Sequence, residues 1–177
     1  LRGDIHTHGT DCLPCVLHHM GMDELYARLI SLTETDYKRG GITEVKLIEL
    51  LEDYYKDYIF SLEKKTFKDY EELKSGLDKL YKKMENNMNI VALLEGSYKE
   101  KMDWKHAVVL MKYQGRPILI DVQQQISYEY SDILDYLKKL KIHTISLVDS
   151  HHRITGERLV IEDTDKQDEE EDIEELI

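Results

Sequence analysis

Residues Asp4 to His19, DIHTHGTDCLPCVLHH, place two aspartates, two cysteines and four histidines within sixteen positions. Three chemistries use such residues. A DxHxH run supplies metal ligands, CxPC is the form of a thiol–disulfide exchange site, and a cysteine opening an apolar helical run is a nucleophile. Thr10 or Asp11 can cap a helix that begins at Cys12, with Pro14 tolerated in its first turn. A cysteine there meets unpaired backbone N–H groups and the positive end of the helix dipole, which favour thiolate over thiol. The same N–H groups suit the oxyanion of a tetrahedral intermediate. Cys15, one turn on, reads as a small buried hydrophobe.

A thiolate that attacks an amide needs a base to exchange a proton with, and an acceptor that orients the base. HAVVLMKY opens with His106, and RPILIDV carries Asp121; they read as two strands joined by the turn YQGR. In an antiparallel hairpin, positions 106 and 121 fall near the same open end, which permits a His–Asp hydrogen bond. The ordered set is then Cys12 at a helix start, His106 at a strand start and Asp121 at the end of the next strand.

TDCLPCVLHHMG followed by HAVVLMKYQGRPILIDVQ resembles the papain-like cysteine hydrolases in compact form. Two branches are similar in about 30 residues of two blocks: the bacterial-effector glutamine deamidases with papain-fold toxins, and the C39-type peptidases that process bacteriocins. The resemblance implies Cys12 as nucleophile, His106 as general base and acid, and Asp121 as the orienting carboxylate. It also implies a substrate cleft shaped by Gln123, the Gln of a D-x-Q pattern. Trp104, two residues before His106, is a candidate wall of that cleft and equally a candidate core residue. Peptidases of this superfamily carry a Gln ahead of the nucleophile as oxyanion donor, whereas residues 1 to 11 hold no Gln or Asn. Thr10 and Gln123 are the candidates to stand in. The activity implied is hydrolysis of an amide in a protein substrate, by a peptidase or a glutamine deamidase. No metal or other cofactor is expected in that chemistry.

The elements that must position these residues follow from periodicity. Val16, Leu17 and Met20 give the first helix an apolar face, and a second helix is expected from Asp23. Thr43 caps a run with Val45, Ile48, Leu51, Tyr55 and Ile59 at helical spacing; another places Tyr70, Leu73, Leu77, Leu80 and Met84 on one stripe. From residue 89 the period changes to short β-branched runs, NIVALLEG, HAVVLMKY and RPILIDV. A helix, YSDILDYLKKL, and a strand, IHTISLV, follow. Helices, three strands, a helix and a strand argue for an α+β fold, with helices on a small, largely antiparallel sheet. In the papain-like layout the nucleophile helix packs on that sheet.

The chain has 177 residues, 41% of them hydrophobic, enough for one core of ordinary size. Its net charge of -12 is concentrated: residues 162–177 hold ten acids and one lysine, leaving -3 for residues 1–161. The expected organisation is a hydrolase domain over 1–161 and an acidic, disordered tail over 162–177, whose charge suits a basic partner. No basic stripe with interleaved aromatics supports nucleic-acid binding, and no apolar run reaches the length of a membrane span. Two cysteines three apart are no disulfide framework. Together these features fit a cytoplasmic protein, or one at work in a host cytosol if it is an effector. Three other readings compete. The His/Cys cluster could bind Zn, CLPC could serve a thioredoxin-like oxidoreductase, and the tyrosine-rich helices with the acidic tail could form a non-catalytic interaction module.

Overall fold

The structure, a computed structural model, describes residues 16, 17, 19, 21, 44–98 and 101–159; for residues 98 and 101–104 it describes the backbone. Val16, Leu17 and His19 are helical and buried. The expected tail at 162–177 and the helix expected from Asp23 lie outside the described residues.

Helix α1 spans Glu44–Tyr54 and buries Leu47, Leu50 and Leu51. Each fully buried leucine is worth about 1.5–3 kcal/mol. The sequence predicts this helical run to reach Ile59. The helix instead ends at Tyr54, and Ile59 lies in strand β1, Tyr58–Thr66. Strand β1 pairs along its whole length with β6, Ile142–His152, from Tyr58 opposite His152 to Thr66 opposite Thr144. That ladder outweighs one further helical turn, in which Lys56 and Asp57 would face solvent anyway. Helix α2, Tyr70–Lys83, follows the expected stripe. The Asp69 carboxylate caps it by accepting from Glu72 N–H at 2.9 Å, while the Glu72 carboxylate accepts from Lys68 N–H at 2.8 Å.

Strands β2, Asn89–Tyr98, β3, Lys101–Tyr113, and β4, Arg116–Asp121, form a meander. Gln114 (φ 49°) and Gly115 (φ 76°) both take left-handed backbone in the two-residue turn between β3 and β4, the turn that YQGR predicts. A short strand that periodicity did not mark, β5, Ile126–Glu129, pairs with β4 and leads into helix α3, Tyr130–Lys139. Strand β6 then inserts between β1 and β2. The sheet order is β1-β6-β2-β3-β4-β5 with every pairing antiparallel. The fold is therefore α+β, with three helices among the described elements.

Strand alternation divides the core in two. Ile90, Ala92, Leu94, Val108, Leu110, Leu119, Ile145 and Leu147 face helices α2 and α3. Val91, Ala107, Val109, Ile120 and Val122 face the other way, against α1, Phe60, Val16 and Leu17. Residues one apart in a strand thus serve different cores. Among the described residues no helix is long and apolar enough to cross a membrane.

Gly96 fixes how α3 returns to the sheet. It lies where the β2–β6 register shifts, and a Cβ there would stand 2.6 Å from the Leu140 carbonyl oxygen and 2.9 Å from that of Lys141. These backbone atoms cannot swing aside. At Gly76 a Cβ would meet only the half-buried Phe67 ring, at 2.6 Å, and alanine favours the helix by about 1 kcal/mol. Urea denaturation should therefore show Gly96→Ala losing about 2 kcal/mol or more, in the range of an overpacked core, while Gly76→Ala stays within about 1 kcal/mol of wild type.

Candidate functional site

His106 lies in the middle of β3, five residues in, and not at the strand start that its sequence suggests. Asp121 is the last residue of β4, as expected. The register that pairs Val109 with Ile120 sets His106 and Asp121 diagonally, on the same face of the sheet. Their side chains meet: His106 Nε2 lies 2.9 Å from Asp121 Oδ2. The ring is 5% exposed and the carboxylate 0%.

Two further donors serve the same carboxylate. Tyr136 of α3 donates its hydroxyl to Asp121 Oδ2 at 2.6 Å, and the Gln124 N–H donates to Oδ1 at 3.2 Å. Burial on its own pushes the Asp121 carboxyl up. The hydrogen bond and charge of His106, with the donors from Tyr136 and Gln124, outweigh burial and hold it below its ordinary value of 3.8. The carboxylate is thus ionised at neutral pH. With Nε2 committed to Asp121, any proton exchange between His106 and a nucleophile falls to Nδ1.

Tyr136 was not among the residues that the sequence singled out. It occupies the inner face of α3 with Ile133 and Leu137, all buried. A tyrosine in such a stripe must find a partner for its hydroxyl, and that requirement was the available signal. Tyr128 of β5 stacks on it, ring centroids 4.4 Å apart and 28° between planes. Burial, then the nearby Asp121 charge, raises the Tyr128 phenol above its ordinary range, so it stays neutral. An open cleft of about 440 Å³ adjoins the two rings, lined by Gln124, Ser127 and Tyr128 on one side and Asp132, Asp135 and Lys139 on the other.

The remaining sequence candidates fall in different places. Gln123 is half-buried and engaged, two residues past Asp121. Cys12, Thr10, Cys15, Asp4, His6, His8 and His18 lie outside the described residues, as does the side chain of Trp104. His19, one of the histidines of the N-terminal His/Cys cluster, is 2% exposed. Among the described residues no three His, Cys, Asp or Glu side chains form a group that could hold a metal. Val16 and Leu17 pack against Ala107, Val109, Ile120 and Val122, the sheet face opposite to that of His106 and Asp121.

No known protein family matches the sequence. Comparison with curated proteins gives no match either.

A carboxylate whose pKa is lowered by folding adds stability above its unfolded value, and that stability is lost as pH falls through the folded value. Asp121→Asn should thus cost about 3 kcal/mol at pH 7, as loss of one partner of a buried pair does. The gap between wild type and variant should narrow as the pH is taken from about 5 to 3. Urea midpoints across that range check both points, and a gap independent of pH would contradict them.

Proposed function

We propose that this chain is a cysteine-dependent hydrolase of the cytosol that acts on amide bonds of protein substrates, as a peptidase or a glutamine deamidase. Cys12 is its nucleophile, His106 its base and acid, and Asp121 the orienting carboxylate. The observation that supports this most directly is the buried His106–Asp121 hydrogen bond, which presents an imidazole through a fixed nitrogen. The hydrogen bonding and ionisation of Asp121 are those that an orienting carboxylate needs.

The reaction proceeds in two halves. The Cys12 thiolate adds to the carboxamide or peptide carbonyl, and the tetrahedral intermediate collapses as the His106 imidazolium gives its proton to the leaving nitrogen. Ammonia or an amine departs and a thioester remains. His106, now neutral, takes a proton from water, the resulting hydroxide attacks the thioester and expels Cys12 as thiolate, and the carboxylic acid product leaves and loses its proton to solvent, with His106 again imidazolium. The Asp121 charge stabilises the imidazolium in both halves.

One observation favours a second reading, an interaction module in which His106, Asp121 and Tyr136 are a buried tie and nothing more. Val16 and Leu17 sit across the sheet from His106. Cys12 stands four positions ahead of Val16, a reach of at most about 14 Å in extended chain. The hydrolase reading requires that span to bring the thiol round the end of the sheet at which β4 stops.

Intact-mass analysis of candidate protein substrates separates the readings and the two activities. Wild type should add about 1 Da to a deamidated substrate or release fragments from a cleaved one. Cys12→Ala should do neither, and His106→Ala should lose about 100-fold or more in rate. Product formed equally well by Cys12→Ala would remove the hydrolase reading.

A further inference from the structure

We propose that Tyr136 is a positioning residue of the hydrolytic site, holding Asp121 and, through it, the His106 ring; this rests on the hydrolase reading. Asp121 Oδ2 is the shared acceptor. It takes His106 Nε2 at 2.9 Å from β3 and the Tyr136 hydroxyl at 2.6 Å from α3. The carboxylate therefore cannot rotate without breaking a short hydrogen bond to a helix that the core immobilises. Ile133, Leu134 and Leu137 bury the same face of α3, and Tyr128 stacks on the Tyr136 ring from β5. The hydroxyl is fixed from three sides: by its helix, by its stacking partner and by its acceptor.

The hydroxyl has an electronic consequence as well as a steric one. A donor on Oδ2 draws charge from the oxygen that faces His106, and so tempers how strongly Asp121 favours imidazolium over imidazole. Around Asp121, Tyr136 of α3 donates its hydroxyl and Tyr128 of β5 lies near enough to feel the carboxylate's charge, while β2 sets apolar Leu94 opposite His106. Asp132, Asp135 and Lys139 line the cleft on the outer side of these rings. Removing the Tyr136 hydroxyl leaves Oδ2 a stronger partner for the imidazolium, and His106 then holds its proton to higher pH.

Tyr136→Phe tests this, because it keeps the ring, its stacking and its burial. The full chain, with wild type, Tyr136→Phe and Cys12→Ala in parallel, is assayed for amide hydrolysis from about pH 5 to 10, and the His106 ring resonances are titrated by NMR over the same range. Tyr136→Phe should lose about tenfold in kcat with KM unchanged, well short of the roughly 100-fold or more that loss of the acid–base group removes. The basic limb of its pH profile and the His106 titration should both move upward, by about half a unit or more. An unmoved limb and titration, with any activity loss matched by lost stability, would make Tyr136 a structural strut and overturn the assignment while leaving the hydrolase reading intact. Wild-type activity no greater than that of Cys12→Ala would overturn the hydrolase reading, and the assignment with it.

Discussion

The arrangement depends on one carboxylate held in its ionised form where no water reaches it. Placing a charge inside a protein costs several kcal/mol, and only well-aligned donors offset that cost. Asp121 has three, each from a different part of the fold: the His106 ring in the middle of β3, the Tyr136 hydroxyl on α3 and the Gln124 N–H just past β4. Any displacement of β3, β4 or α3 relative to the others would leave the charge unsatisfied. The carboxylate thus couples the middle of the sheet to its covering helix, and its ionisation gives the coupling a dependence on pH.

Strand alternation explains why the pair can exist without interrupting the core. Val108, Leu110 and Leu119 share the face of His106 and Asp121 and pack under α2 and α3, while Ala107, Val109 and Ile120 serve the opposite core. A slip of one residue in β3 or β4 would send His106 and Asp121 to opposite faces and bury an unpaired charge. The two-residue turn at Gln114 and Gly115, both in left-handed backbone, fixes that register. Gly96 then admits the carbonyls that close α3 onto β2, which sets Tyr136 above Asp121. Register, turn and glycine together account for the geometry of the pair.

What the sequence disclosed follows the strength of each local signal. The strands NIVALLEG, HAVVLMKY and RPILIDV and the helix over Tyr70–Lys83 were legible because apolar residues recur in them at one clear period. The proximity of His106 and Asp121 was legible because a tight turn makes pairing a matter of counting. Strand β1 was not legible: beyond Phe60 it is mostly polar and exposed, and its identity comes from its partner β6, eighty or more residues away along most of the ladder. Strand β5 is four residues long with three exposed, too short to show a period. Tyr136 was not legible as a partner of Asp121, because only the packing of α3 on the sheet brings the two together.

In the proposed hydrolase, His106 governs the ionisation of Cys12. The direct measurement is the rate at which iodoacetamide alkylates Cys12 in the full chain as a function of pH, read by peptide mass spectrometry, for wild type and His106→Ala. An unassisted thiol reacts with a midpoint near pH 8.5, roughly, while a thiolate held beside an imidazolium reacts well below that. The expected result is a wild-type midpoint at or below about pH 7, faster labelling of Cys12 than of Cys15 near neutral pH, and a return of the Cys12 midpoint toward about 8.5 in His106→Ala. Superimposable profiles for the two proteins, with Cys12 and Cys15 labelled equally slowly, would contradict it.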